Sequence, residues 1–518
     1  MGKLGTSHRL LGNSAWNAAA FLLGVGLNLL ILPFVISQLG IAAFGVAGLV
    51  TACVTPAQAF TSSLALSTAR ELARRLAPGE REDARRFFAT SLLLALGIGG
   101  SIVMILCAGG PPLARLVFHL GSEAADDLTL AFVFGAGGWL CQCLSAVFLA
   151  LFTARQDYFR ISSINILGTI VMTAAVLGFV PSSPKASTYL GCQALGFAVS
   201  LLAAFAVSRR ELGRWLARPA LHRDPLADLV KVGAWQLAAQ GGGLIAGQAD
   251  RYLLGALLAP HFVGFYTVAQ RLEEAVYVGI LRIGEILFPF FSSLHRESSE
   301  RKADLLFRSS WVLNVLAASA LGALITVAGP LLYLWTADAE VASEAQRVLQ
   351  VLSIAGMLGC TSNAFAFYLL ASGRTRSNAL ISFVTALFTL ATSAIALPQF
   401  GWQAAAWSAC VGMIAQSVTT TVLLRRSFSH SGIWPQVAQL VWLPLITGIV
   451  TALLLRHFIG GTPFDHAPRW WYVGGLYFLA AGTIFVAVVA VSQLAPQGAA
   501  CWRDLRLIAS RFLSLKAT

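Results

Sequence analysis

Apolar residues run along this chain in long, almost uninterrupted stretches, without the strict alternation of a half-buried strand or the single apolar stripe of a surface helix. About fourteen such runs stand near 12–36, 44–69, 87–108, 128–153, 161–180, 188–208, 232–258, 264–291, 309–329, 348–371, 379–397, 403–424, 437–457 and 470–492. Each is about 20 residues long, which as a helix reaches across the ~30 Å hydrocarbon core of a bilayer. The pattern therefore predicts an all-α polytopic membrane protein of about 14 transmembrane helices. The first run lacks an early small-residue cleavage site with a soluble domain behind it, and reads as a retained helix.

Composition agrees, with 57% hydrophobic and 11% charged residues and a mean hydropathy of +0.73. No soluble domain could hide that much apolar surface. The net charge of +13 does not call for a nucleic-acid partner, because the positive charge is distributed as membrane topology requires. About 28 of the 36 Lys and Arg fall on the side of the N-terminus, including Arg70, Arg74, Arg75, Arg81, Arg85 and Arg86 in one loop. Arg209, Arg210, Arg214, Arg218, Arg223 and Lys231 fill another loop on that side, whereas the opposite side holds Arg115, Lys185, Arg347, Arg456 and Arg469. Both termini are thus expected in the cytoplasm, with the basic face against anionic headgroups of membrane lipids. The same face also suits docking of cytoplasmic enzymes.

The eight cysteines lie in or beside helices or in the cytoplasmic tail, so no disulfide framework is expected. The eight histidines form no i,i+4 pair, and no metal site or other cofactor is expected. No Gly-x4-Gly-Lys-Ser/Thr loop occurs either, which points to an ion gradient, H+ or Na+, or the membrane potential as the energy source.

A shift of 219 residues brings two halves into register without a gap over more than a hundred positions. Gly45 meets Gly264, Phe88 meets Phe307, Ser91 meets Ser310, and Gly110-Pro111 meets Gly329-Pro330. Further on, Ala136-Gly137 meets Ala355-Gly356, Cys141 meets Cys360, Phe148 meets Phe367 and Arg155 meets Arg374. Each unit then holds six helices, and an even number gives two parallel repeats. The expected organisation is an N-lobe over 1–208, a cytoplasmic connector over 209–231, a C-lobe over 232–424, and two further helices with a basic cytoplasmic tail over 425–518.

Charge inside the apolar runs is concentrated in the seventh and eighth. Arg271, Glu274, Arg282 and Glu285 follow steps of three, eight and three residues and so project from one helix face. With Glu273 added, five unpaired charges at membrane depth would cost on the order of 12–18 kcal/mol at about 2.5–3.5 kcal/mol each. Either these residues form ion pairs that lock helices together, or they line a watered cavity for a charged substrate. In the seventh run Gln236, Gln240, Gly243, Gly247 and Asp250 share a face, with Arg251 adjacent and Gly241, Gly242 and Gly243 in succession. Close helix packing and a hinge both fit that glycine run. The N-lobe offers Asn17, Asn28, Gln58 and Asn165 as polar groups, and Pro33 and Pro56 as hinges.

Leu39-Gly40, Phe44-Gly45, the run from Asp250 through Arg251-Tyr252-Leu253-Leu254 to Gly255, Val263-Gly264-Phe265-Tyr266 and Phe288-Pro289 resemble the polysaccharide-biosynthesis flippases of the multidrug/oligosaccharidyl-lipid/polysaccharide exporter superfamily. The resemblance spans nearly the whole chain. It implies a V-shaped pair of six-helix lobes in a bacterial cytoplasmic (inner) membrane, moving an undecaprenyl-linked oligosaccharide to the outer leaflet alongside other polysaccharide-assembly proteins. Arg251, Arg271, Arg282 and Gln240 would line the substrate cavity. Asp250, Glu273, Glu274 and Glu285 would couple an ion or pair with those charges.

Two departures narrow the reading. The lipid II flippases carry arginines in central helices of the first lobe, and many multidrug extrusion proteins carry an acidic site there; the first run here has neither. A cation-coupled exporter of drugs or metabolites is the second reading. An integral-membrane polymerase or ligase is a third, but such enzymes need a sizeable outward catalytic loop, and the longest outward segments here, near 109–127 and 330–347, are short.

Overall fold

The computed structural model describes residues 2–75, 81–118, 125–212, 247–285, 297–428, 433–459 and 470–504, with single positions at 220, 222, 237, 287, 290, 291 and 294. All regular structure among them is helical. In chain order the helices are α1 (Gly2–Val54), α2 (Gln58–Arg75), α3 (Arg81–Phe118), α4 (Ala125–Ala154), α5 (Tyr158–Phe179), α6 (Ala186–Leu212), α7 (247–257) and α8 (Pro260–Gly284). There follow α9 (Ser299–Thr336), α10 (Ala339–Cys360), α11 (Asn363–Ala371), α12 (Thr375–Phe400), α13 (Ala404–Ser427), α14 (Leu443–Ile459) and α15 (Trp470–Gln493).

Among the described residues, eleven helices are long and apolar enough to cross a membrane. Leu23–Arg74 carries the first two apolar runs of the sequence, and most of the run near 232–258 lies outside the described residues. α8 is not one of the eleven, because Arg271, Glu273, Glu274 and Arg282 interrupt its apolar surface. The fold is thus that of a multi-pass membrane protein, with one unusually charged helix.

Breaks between helices have identifiable causes. The backbone of α1 turns at Gly40, whose φ of 75° lies in the left-handed region open to glycine. Pro33 sits in the helical part of α1, whereas Pro56 falls in the 3-10 turn Thr55–Ala57 that divides α1 from α2. In α9 the helix deforms at Val327, three residues before Pro330, whose ring cannot accept a regular preceding turn. The run near 348–371 is interrupted at Thr361 and Ser362, between α10 and α11.

The chain divides into two compact units, Met1–Gly264 and Phe265–Thr518, with the boundary inside α8. In the first, α4 packs on α2, α3 and α6, and α5 packs on α1 and α6. Its core holds Phe87, Phe88, Trp139, Phe148 and Leu151, and Phe148 is flanked by Phe88 and Phe205 at ring-centroid distances of 5.7 Å. In the second unit α9 is the central helix, with 78% of its most apolar stretch buried. It packs against α10, α14 and α15. Ser91 and Ser310, equivalent across the repeat, are both fully buried and hydrogen-bonded, to Thr68 at 3.0 Å and to Asn314 at 3.3 Å.

The two helices outside the repeat are integral to the second unit. Trp311 Nε1 donates to Ser492 Oγ at 3.3 Å, Tyr477 donates to the Ala320 carbonyl at 3.2 Å, and Arg308 pairs with Asp504 beyond α15. α14 crosses α9 closely at Gly448, where an added Cβ would lie 2.6 Å from the Ala318 Cβ. Gly448→Leu should therefore overpack this crossing at a cost of about 1–3 kcal/mol. Thermal unfolding of purified protein should show a lowered midpoint; an unchanged midpoint would mean that the crossing is looser than drawn here.

Candidate functional site

The charged face of α8 lies on residues that carry no charge in the first unit. Across the repeat, Arg271, Glu273, Glu274, Arg282 and Glu285 correspond to Ala52, Val54, Thr55, Ser63 and Leu66. The charges are thus an addition to one copy of a common helix. Two ion pairs form along it, Arg271–Glu274 at 3.9 Å within the helix and Arg282–Glu285 at 2.9 Å at its C-terminal end. Arg282 Nη1 reaches both carboxylate oxygens of Glu285, and Gln270 Nε2 donates to Glu274 Oε1 at 3.0 Å. All four charged side chains are 39–52% exposed, so these pairs are not buried locks between helices. At membrane depth, such exposure is compatible with water and not with lipid.

Glu273 faces elsewhere. It is buried, with one carboxylate oxygen occupying the space that a side chain at Gly356 of α10 would fill. No salt bridge to it is found among the described residues. One helical turn on, the Tyr277 hydroxyl donates to Asn363 Oδ1 at 3.2 Å, and Asn363 Nδ2 lies 3.5 Å from Cys360 Sγ. The second unit therefore holds an exposed paired set on α8 and a buried polar set behind it.

Asp250 and Arg251 belong to the first unit and are buried. Arg251 Nη1 donates to Gln248 Oε1 at 2.9 Å, and Tyr252 anchors the same helix by donating to the Ala52 carbonyl at 2.7 Å. Gln240, Gly241, Gly242 and Gly243 lie outside the described residues. Among the described residues no group of His, Cys, Asp and Glu has metal-binding proximity.

The first unit also contains a cavity of about 500 Å³, between α2, α4, α5 and α6. Its walls are four stripes of identical spacing: Gln58, Thr61, Ser62 and Ala65; Gln142, Ser145, Ala146 and Leu149; Asn165, Gly168, Thr169 and Met172; Gln193, Gly196, Phe197 and Ser200. Each stripe begins with a carboxamide and repeats at i, i+3, i+4 and i+7, one face of a helix. Gln58 Nε2 donates to Gln142 Oε1 at 2.6 Å. Of the four carboxamides, Gln58 and Asn165 stood out in the sequence as isolated polar groups, whereas Gln142 and Gln193 did not. The shared spacing was the signal that could have found them.

The helices define the class, a multi-pass membrane protein. Residues 10–295 match the family described as "Polysaccharide biosynthesis protein", and this chain belongs to that family. It is 25% identical over 333 residues to the "Uncharacterized membrane protein EpsK" of Bacillus subtilis (strain 168), a match spanning 62% of this chain and 64% of that protein's length. Among solved structures it resembles "Lipid II flippase MurJ, inward closed conformation", at a TM-score of 0.70 and 12% identity, with 96% of this chain and 99% of the other covered. It also resembles an inward-facing multidrug resistance MATE family transporter of the MOP superfamily, at a TM-score of 0.67 and 16% identity, covering 79% and 94%. These likenesses assign the chain the fold of MOP-superfamily transporters.

Water at the α8 face has a direct chemical readout. In a background without the native cysteines, Glu274→Cys and Glu285→Cys should react with a charged, membrane-impermeant methanethiosulfonate at least about tenfold faster than Phe383→Cys, whose parent side chain is 62% exposed on apolar α12. Equal, slow reaction at all three positions would put the α8 face in lipid.

Proposed function

We propose that this protein is a flippase that carries an undecaprenyl-phosphate- or pyrophosphate-linked oligosaccharide from the cytoplasmic to the outer, periplasmic leaflet by alternating access. It serves a surface polysaccharide such as an exopolysaccharide, capsule or O-antigen. The observation that carries this reading is the half-exposed row of ion pairs on α8, in a chain of the polysaccharide biosynthesis family.

A phosphate or pyrophosphate on a lipid carrier must leave the headgroup region to cross, and it needs charge-assisted hydrogen bonds on the way. Arg271 and Arg282 supply planar donor groups suited to phosphate and carboxylate oxygens. Their glutamate partners keep those donors compensated while no anion is bound, which lowers the cost of charge at this depth. An arriving anion displaces Glu274 and Glu285, and re-pairing of the helix favours release on the far side. Arg251, buried and bonded to Gln248, is a further candidate donor to an anionic substrate in a state that uncovers it.

The coupling ion is H+ or Na+, and the carboxylates available to it are Asp250, Glu273, Glu274 and Glu285. Glu273 leads this set, because it is buried beside Gly356 and outside both α8 ion pairs. Both termini lie in the cytoplasm of a bacterial cell, and the basic cytoplasmic loops rest on anionic lipids.

Cells lacking the gene should accumulate carrier-linked oligosaccharide and lose the surface polymer. Restoring the wild-type gene should reverse both, and Arg271→Ala or Arg282→Ala should fail to. Normal pools in the deletion strain would redirect the assignment to export of small molecules, and full export by both variants would remove the arginines from the substrate path.

A further inference from the structure

We infer that the cavity of the first unit is a binding subsite for an uncharged sugar ring of the transported glycan, separate from the arginines that meet its phosphate. This rests on the flippase reading and extends it to the substrate's sugar. The inference starts from what the repeat does at the same place. Gln58, Gln142, Ala146 and Leu149 of the first unit correspond to Tyr277, Thr361, Phe365 and Tyr368 of the second. There Phe365 is fully packed against Phe307 at 5.7 Å, and Tyr277 bonds to Asn363. The two copies therefore carry different side chains at these positions, aromatic or hydroxyl-bearing ones in the second unit and carboxamides with Ala146 and Leu149 in the first.

Polar side chains facing an internal space at membrane depth are costly unless something answers their hydrogen bonds. Gln58 and Gln142 satisfy each other in part, but each carboxamide carries two donors and two acceptor lone pairs. Thr61 Oγ1 is buried and finds no nitrogen or oxygen partner, with the Cys143 thiol as its polar neighbour. Carboxamides and hydroxyls both donate and accept, as the hydroxyl and acetamido groups of a sugar do. Phe197 adds an apolar ring against which the C–H face of a pyranose can rest. The cavity volume falls in the range of about 300–1,000 Å³ typical of small-molecule sites.

The lining also states what the ligand is not. Among the described residues of the lining there is no Lys, Arg, Asp or Glu. A uronic acid or phosphate would find no cation among them, and a cationic drug would find no anion. An apolar compound would leave the remaining hydrogen-bonding capacity of the carboxamides unanswered. A neutral sugar satisfies the walls, whether it arrives free or attached to its lipid carrier.

The test uses the full chain in lipid nanodiscs and saturation-transfer NMR, with methyl N-acetylglucosaminide and methyl glucoside as neutral probes, methyl glucuronide as the acidic one and empty nanodiscs as the control. Transfer to the neutral probes should exceed transfer to the glucuronide at least about tenfold. Ala146→Phe, which copies the second unit's own Phe365, should abolish the neutral signal while leaving the thermal midpoint near that of the wild type. Gln193→Leu, which keeps the hollow but removes one carboxamide, provides the same test if the larger side chain disturbs folding. A lipid-linked oligosaccharide bearing neutral sugars should compete with the free probe, whereas lipid carrier alone should not. Absent transfer in the wild-type protein, equal transfer to the glucuronide, or an undiminished signal in both variants would overturn the assignment. Sugar binding that is lost on filling the cavity, in cells whose carrier-linked pools never depended on this gene, would keep the subsite and remove the flippase. Failure of the sugar test beside a working flippase would remove the subsite alone.

Discussion

Hydrocarbon gives no hydrogen bonds, and this one constraint orders the molecule. It forces the backbone into helices and makes each polar side chain at depth find a partner, water or a ligand. Most of the chain complies by being apolar, or by folding serine and threonine hydroxyls back onto carbonyls one turn away, as Thr90, Ser91, Thr326 and Ser408 do. The exceptions are therefore informative. They are the paired charges on α8, the buried set around Glu273, and the carboxamide-lined hollow of the first unit. Each sits where the other copy of the repeat carries apolar, aromatic or smaller side chains.

Duplication explains how one fold holds such different interiors. Two copies of a six-helix unit share their framework, seen in Ser91 and Ser310, in the prolines of α3 and α9, and in the buried Phe88 and Phe307. With the framework fixed by these contacts, the remaining inward positions are free to diverge. The second unit took on charge and two extra helices that bury α9. The first kept a hollow whose described walls carry no charge. A carrier of an amphiphilic anion with a long sugar chain has use for both chemistries, since phosphate and sugar ring are recognised by different donors.

Much of this was legible in the sequence. Run length and composition gave the class, because a 20-residue apolar stretch has few alternatives. The constant 219-residue offset gave the repeat, and spacing gave the α8 face, whose ion pairs form between the expected residues. Other features were hidden for physical reasons. The resemblance to the flippases, not the residue pattern, puts Arg251 among the cavity residues; its burial depends on which helices cover it, and a linear pattern does not carry that. The roles of the last two helices depend on long-range contacts such as Trp311 with Ser492. The hollow of the first unit escaped notice because each of its helices contributes a single amide, too weak a signal until four equal stripes are brought together.

The most direct measurement of the central claim is a leaflet assay with purified protein in liposomes containing a carrier-linked oligosaccharide. An added glycosidase or lectin reports the fraction of sugar exposed on the outside. The account predicts that the protected half becomes accessible with time when the protein is present, and that this conversion is lost with Arg271→Ala and Arg282→Ala. A protected fraction that stays at half of the pool, with active and correctly folded protein in the membrane, would contradict it.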